Sequence, residues 1–271
     1  MRPIVLMLAA WTGFCAVALA QPRHLRPGFN LFSTQQDIQL GREASTEIEQ
    51  KLHLVHNREM TDYLTGIGNR LAQSGYAGKF PYSFHLVEDK NINAFALPGG
   101  PVYVNTGLLV AAENEAQLAG VLAHEMSHVT LRHGTNETSK AFFIQIPTML
   151  AGALTGNSLL GQLAQLGIGF GANSVLLKNS RTAESQADYN GAEMMADAGY
   201  NPVEMARFFE KLQAGAGSDS RLTQFLSDHP NPGNRVQAVQ DELRELPQRD
   251  YTTDSGAFPR IHSLALRLAG R

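Results

Sequence analysis

Residues 114–133 read NEAQLAGVLAHEMSHVTLRH, and they have the pattern of one long helix. Asn114 followed by Gln117 is typical of a capped helix N-terminus, because the asparagine side chain can accept a hydrogen bond from a backbone N–H of the first turn. Gly134, directly after this stretch, is the kind of residue that ends a helix. We therefore expect a helix from about Asn114 to about His133.

This helix carries two histidines four residues apart, His124 and His128. At 3.6 residues per turn they lie about 40° apart on one face, so both imidazoles can bind one metal ion. Glu125 flanks that face, close enough to contact a water on the metal and act as its general base. Zinc suits imidazole and carboxylate ligands, and a catalytic zinc site has three protein ligands and one open position. The spacing therefore predicts one Zn2+ per chain and a third protein ligand elsewhere.

That third ligand is expected to be a carboxylate from a later helix, at about residues 181–198. Two pairs in it have i, i+4 spacing, Glu184 with Asp188 and Glu193 with Asp197. The pairs are nine residues apart and face opposite sides, so only one can point at the metal. Small residues that allow a close approach to the histidine helix lie beside the first pair: Ala183, Ala187 and Gly191. We predict Glu184 as the ligand and Asp188 as acceptor for the second ring N–H of a ligand histidine.

A third histidine follows the motif closely. One class of zinc peptidases, the metzincins, carries its third histidine ligand ten residues after the first, but Gly134 occupies that position here. His133 lies nine residues after His124, roughly on the opposite side of the helix. We expect His133 to cap the helix or to support a ligand rather than to bind the metal.

The rest of the chain predicts an α+β, mainly helical domain. Capping patterns and apolar periodicity predict further helices at about 33–54 and 58–74, with two more that begin near 201 and 231. Alternating or apolar runs at 82–86, 93–97 and 102–104 surround a Pro-Gly-Gly turn. These runs predict a small antiparallel sheet beside the histidine helix. No repeat of 20–50 residues is visible, so a tetratricopeptide array is not expected.

The first twenty residues have the pattern of a secretory signal peptide. Arg2 is followed by an apolar run that ends in Ala18-Leu19-Ala20. We predict cleavage near Ala20 and a single domain over residues 21–271, located in the periplasm or secreted. An uncleaved membrane anchor is the alternative, and Cys15 lies in a poor context for lipid attachment.

Residues 141–177 contain no charged side chain. Polar residues and a proline interrupt the apolar run, among them Gln145, Pro147 and Asn157, so no clean membrane span of about 18 residues results. Two interpretations remain open. We favour a buried or groove-lining helical pair, and the other is a lid that makes peripheral contact with a membrane.

Composition narrows the classes of function. The chain of 271 residues has 22 Lys and Arg against 25 Asp and Glu, a net charge of −3. A nucleic-acid-binding protein would normally show a basic surplus, so no nucleic-acid partner is expected. The single cysteine excludes an internal disulfide framework.

The motifs HEMSH at 124–128 and RTAESQAD at 181–188 together resemble the gluzincin metallopeptidases of the HtpX and CAAX-prenyl-endopeptidase type. The likeness is greatest to their soluble periplasmic BepA-like and LoiP-like members. It extends to NAFALPGG at 93–100, similar to the strand and turn beside the family's active site, and to SDHP at 227–230, similar to its late His-Pro motif. The resemblance implies a zincin-like fold and a zinc-dependent endopeptidase.

The resemblance also implies roles for residues outside the motif helix. His229 and Arg235 would act in catalysis as donors to the tetrahedral oxyanion. In BepA-like relatives the histidine that corresponds to His229 is implicated instead as an extra zinc ligand that holds the enzyme shut. The strand that would bind an extended substrate through its open edge contains four residues, Asn93, Ala94, Phe95 and Ala96.

Together these patterns predict a periplasmic or secreted zinc-dependent endopeptidase. Its partners would be protein or peptide substrates, among them misfolded envelope proteins or outer-membrane proteins. Glu125 would be the general base for a zinc-activated water. The alternative is an envelope quality-control binding protein, or holdase, in which the zinc site is latched or mainly structural.

Overall fold

The structure, a computed structural model, describes residues 24–149, 179–230, 235–245 and 250–270. The predicted signal peptide at 1–20 lies outside these ranges, as does most of the uncharged segment at 141–177. The interpretations of both, and the single domain over 21–271, therefore stay predictions. Among the described residues, no helix is both long and apolar enough to cross a membrane.

The described residues form mainly helices with one small sheet, so the predicted α+β, mainly helical class is confirmed. The strands are β1 (Ser83–Val87), β2 (Ala94–Ala96) and β3 (Pro101–Asn105). A 3-10 turn covers Ser220–Leu222. The helices are α1 (Thr34–Glu49), α2 (Arg58–Ala72), α3 (Thr106–Ala111), α4 (Glu115–Thr130), α5 (His133–Met149), α6 (Arg181–Asp197), α7 (Val203–Ala214), α8 (Thr223–Asp228), α9 (Arg235–Glu245) and α10 (Phe258–Leu268).

The sheet is mixed rather than wholly antiparallel, which corrects the predicted sheet type. Its strand order is β1-β3-β2. The tight turn after β2 makes an antiparallel hairpin of β2 and β3, as predicted, but β1 pairs in parallel with β3. An alternating pattern identifies a strand but not the strand it pairs with. Here β1 pairs with the β3 strand of the hairpin, which runs in the same direction, so this pair is parallel.

Helix α4 is the central helix of the core, and its sequence explains how it begins. Asn114 Oδ1 accepts a hydrogen bond from Gln117 N at 2.9 Å, as the capping pattern predicts. Every residue from Glu115 to Val129 is buried. The helix therefore holds its histidine motif inside the protein and not on an exposed face.

The end of α4 differs from the prediction. The helix ends at Thr130, and α5 already begins at His133, so Gly134 lies inside α5 and does not end α4. Arg132 makes the turn with a left-handed φ of 58°. A non-glycine residue there is unfavourable, and the Arg132 side chain compensates by binding Asp37, with Nε 2.6 Å from Oδ2.

The same arginine holds the extended segment before α1. Arg132 Nη2 donates to the carbonyl of Phe32. Two further bonds join this segment to the first turns of α5, from Asn30 Nδ2 to Thr135 Oγ1 at 2.7 Å and from Leu31 N to Ser139 Oγ at 3.0 Å. Residues 30–32 therefore form a strap across the start of α5.

Helices α4 and α6 pack closely, as the small residues of α6 predict. A Cβ added at Gly191 would lie 3.3 Å from the backbone carbonyl carbon of Ala123. Asn190 Nδ2 donates to Ser127 Oγ at 3.0 Å and joins the two helices across this contact. This packing brings the polar side chains of both helices within reach of one another.

We predict that Arg132→Ala lowers the free energy of unfolding by about 3 kcal/mol, because it leaves the buried carboxylate of Asp37 without its cation. Denaturant unfolding of the purified variant measures this. The control is Lys51→Ala, which breaks an exposed ion pair with Glu47 and should cost about 0–1 kcal/mol. Equal effects of the two substitutions would contradict the role assigned to the Arg132–Asp37 pair.

Candidate metal centre

Four buried side chains converge between α4, α6 and the end of α8. They are His124 and His128 of α4, Glu184 of α6 and His229, the residue after α8. One potential ligand atom from each lies within 4.8 Å of all the others. The structure therefore brings together the three predicted ligands and the histidine of the late His-Pro motif.

The distances between these atoms match those between the ligands of one tetrahedral ion. His124 Nε2 lies 3.0 Å from His128 Nε2 and 3.3 Å from Glu184 Oε2, and Glu184 Oε1 lies 3.3 Å from His128 Nε2. Ligands about 2.1 Å from a tetrahedral zinc are about 3.4 Å apart. His229 Nδ1 completes the set, 3.3 Å from His124 Nε2 and 3.2 Å from Glu184 Oε1.

The protonation of Glu184 and His128 also suits a metal. Burial alone would raise the pKa of Glu184, but the neighbouring His229 and His124 hold it well below its ordinary value, so this ligand is a carboxylate. Burial lowers the pKa of His128 well below its ordinary range, so its ring is neutral and keeps a lone pair. Neutral imidazoles and a carboxylate are the ligand types that zinc binds.

Glu125 lies beside the cluster but does not belong to it. Its Oε1 is 3.4 Å from His229 Nε2, and burial raises the pKa of the carboxyl above its ordinary value. Within the described residues this buried oxygen makes no hydrogen bond. Glu125 therefore presents an acceptor next to the ligand atoms, where the spacing argument places the general base.

The predicted contact of Asp188 with a ligand histidine is present. Asp188 Oδ1 lies 2.9 Å from His124 Nδ1, on the side of the ring opposite the nitrogen that faces the cluster. Burial alone would lower the pKa of His124, but the carboxylates of Glu184 and Asp188 raise it to about 9. The other candidate pair, Glu193 and Asp197, is absent from the four-residue cluster, as the opposite-face argument predicts.

His128 has a different partner, His133, which takes the ligand-supporting role of the two expected for it, and the further contact of His133 with Gln186 is not predicted by the sequence patterns. His133 Nδ1 lies 2.9 Å from His128 Nδ1, and His133 Nε2 lies 3.1 Å from Gln186 Oε1. His133 stays outside the ligand cluster, as expected, and burial lowers its pKa to about 4. The one signal in the sequence for the contact between His133 and Gln186 is the position of Gln186 between Glu184 and Asp188.

A cleft opens onto the cluster of potential metal ligands, and only part of the predicted substrate strand lines it. Its lining includes Phe95 and Ala96 of β2 with Glu125 and His128. Asn93 and Ala94 are buried and do not line this cleft. Strand β2 lies at one edge of the sheet, bonded to β3.

The remaining predicted residue, Arg235, is the first residue of α9. Its side chain lies outside the described part of the structure. The role that the resemblance implies for it therefore stays a prediction.

A buried His-His-Glu-His cluster, held by two packed helices beside a small sheet, defines a zincin-like metallopeptidase. The chain belongs to peptidase family M48, whose family model matches residues 59–243. The family resemblance predicted from the sequence is thereby confirmed.

Three relatives illustrate the range of the family. The chain is 29% identical to the beta-barrel assembly-enhancing protease of Escherichia coli (strain K12), over 99% of this chain and 58% of that protein. It is 31% identical to the mitochondrial metalloendopeptidase OMA1 of Schizosaccharomyces pombe, over 72% of this chain and 56% of that protein. It is 28% identical to the metalloprotease LoiP of Escherichia coli (strain K12), over 75% of this chain and 79% of that protein. The chain thus spans less than two thirds of the first two relatives.

Proposed function

We propose that this protein is a zinc-dependent endopeptidase. One observation carries the proposal: ligand atoms of His124, His128 and Glu184 lie at the spacing of a tetrahedral ion, with the Glu125 carboxyl beside them. Family membership supports the same reaction. His124, His128 and Glu184 would hold the zinc, with Asp188 against the first of them.

When bound, zinc would lower the pKa of a water to about 7 and polarise the scissile carbonyl. Glu125 accepts the proton of the attacking water and passes it to the leaving amine. Its raised pKa suits both steps, because the carboxyl group must first take up and then give back a proton. The resemblance assigns donation to the oxyanion to His229 or Arg235.

His229 supports a second candidate function. Its Nδ1 is as near to His124 and Glu184 as a fourth tetrahedral ligand would be. Four protein ligands make a closed site, whereas a catalytic site keeps one position open. In this second candidate the protein is a holdase with a latched or mainly structural zinc. In the first, His229 must leave this position before water can occupy it.

We propose that the substrates are extended segments of misfolded envelope or outer-membrane proteins in the periplasm. The edge position of β2, with Phe95 and Ala96 in the cleft, allows recognition through the substrate backbone with little sequence preference. The signal-peptide pattern of residues 1–20 supports the location. The name of the Escherichia coli relative, which refers to β-barrel assembly, supports the substrate class.

Metal analysis combined with proteolysis tests the proposal. We expect about one zinc per chain, loss of cleavage of an unfolded protein after chelation, and recovery when zinc is added back. Chelation should also lower the free energy of unfolding, by about 4 kcal/mol where free zinc had been about 1,000 times its Kd. Full cleavage by metal-free protein would contradict the proposal.

A further inference from the structure

The ring of His133 joins the metal centre to a neutral side chain of α6. One ring nitrogen, Nδ1, is 2.9 Å from His128 Nδ1, and the other, Nε2, is 3.1 Å from Gln186 Oε1. His128 in turn directs its Nε2 at His124 and Glu184. A continuous chain of contacts therefore runs from Gln186 through His133 to a candidate ligand.

The chemistry of these atoms gives the chain one direction. The amide of Gln186 presents its oxygen to His133 Nε2, and an amide oxygen only accepts hydrogen bonds, so this arrangement requires the N–H of His133 on Nε2. A neutral imidazole has one N–H, which leaves His133 Nδ1 as an acceptor. His128 must then donate from Nδ1, and its Nε2 carries the lone pair that a metal ligand needs.

The opposite arrangement would disable the site. If His133 carried its proton on Nδ1, it would donate to His128 Nδ1 and move the proton of His128 to Nε2. That nitrogen would then direct an N–H at the position of the metal. The orientation of the Gln186 amide, two residues from Glu184 in sequence, therefore decides whether the ring of His128 can bind zinc.

The backbone places His133 where this contact is possible. Arg132 turns the chain through its left-handed φ, and α5 begins at the next residue. His133 is 5% exposed, so water has little access to compete for its ring nitrogens. Asp37, bound to Arg132, helps to hold the turn in this conformation.

We infer that Gln186 and His133 form a hydrogen-bond relay that fixes the tautomer and ring orientation of His128 and thereby strengthens metal binding. Both are positioning residues and neither is a ligand. The inference rests on the proposed metal site. The two ligand histidines are then held differently, His124 by the carboxylate of Asp188 and His128 by a neutral acceptor.

The dissociation constant for zinc, measured by chelator competition on the purified protein, tests the relay. Gln186→Met keeps the length of the side chain without the acceptor, and His133→Phe keeps a ring without nitrogens. We expect each to weaken zinc binding about 10–100-fold, the usual effect of losing a hydrogen-bond partner of a ligand. Gln186→Glu retains an acceptor and should bind zinc at least as tightly as the wild type.

Matched controls separate the relay from general damage. Gln39→Met changes an exposed glutamine of α1, and His85→Phe changes a histidine that stacks on Tyr103 in the sheet. Both should leave zinc affinity unchanged. Thermal unfolding of the metal-free variants shows whether each remains folded, and Gln186→Met, with its side chain at the edge of the site, is the variant expected to fold normally.

NMR of the histidine ring nitrogens in the zinc-loaded wild type gives a second readout, because it shows which nitrogen of each ring carries the proton. A purely structural role of His133 would not fix that position. We expect the proton of His133 on Nε2 and that of His128 on Nδ1. A His133 proton on Nδ1, or zinc affinities of Gln186→Met and His133→Phe within about twofold of the wild type, would overturn the relay and leave the metal site intact. A wild-type protein that binds no zinc would overturn the proposed function as well.

Discussion

The Glu125→Gln variant is expected to bind zinc like the wild type and to cleave an unfolded protein about 10²–10⁴ times more slowly. The amide has the shape of the carboxylate but cannot take the proton of the attacking water, and general-base catalysis contributes about this factor. Glu125 is not one of the four clustered side chains, so metal binding should survive. Initial rates at matched zinc content measure the effect.

The control for this variant is Glu47→Gln, which neutralises an exposed carboxylate on α1. It should leave the rate unchanged. A zinc-loaded Glu125→Gln protein with the wild-type rate would remove Glu125 from the mechanism. If neither the wild type nor Glu125→Gln cleaves anything and both suppress aggregation of an unfolded protein, the holdase function becomes the better explanation.

The Glu184→Gln variant is expected to lose both zinc and cleavage. Glu184 is the one carboxylate among the four clustered side chains, and its two oxygens face His124 and His128. A neutral amide in its place binds zinc poorly, so we expect the dissociation constant to rise by more than about 100-fold, beyond the usual effect of residues that only support a ligand. Chelator competition and metal analysis measure it.

A matched control lies on the same helix. Glu193→Gln alters a buried carboxylate of the other i, i+4 pair, which the cluster excludes. It should leave zinc affinity unchanged, whatever it does to stability. If Glu193→Gln releases the metal and Glu184→Gln keeps it, the third ligand has been assigned to the wrong pair.

The local part of the site could be predicted from the sequence because helical geometry is regular. A spacing of four residues brings His124 and His128 to one face of a helix, and the same spacing relates Glu184 to Asp188. Helix α4 begins after Asn114, whose side chain accepts a hydrogen bond from the first turn, as the capping pattern indicates. Each of these predictions concerns residues within one helix, where spacing alone determines direction.

The remaining features depend on contacts between distant parts of the chain. His229 is 105 residues from His124 in sequence, and only the family likeness connected it with the metal site. The contact of Gln186 with His133 requires the turn at Arg132, which no glycine marks. Strand β1 pairs with β3 rather than with β2, because pairing is decided by the tertiary fold.

The strap of residues 30–32 has a consequence for proteolytic damage. Its bonds end on Arg132, four residues after the candidate ligand His128, and on the first turns of α5, which begins at His133. A cut within this strap would remove anchors from the one turn that holds His133 against the ligand. Trimming of the chain from its N-terminal side would therefore weaken its grip on zinc once it passed Asn30, well before it reached any residue of the catalytic machinery.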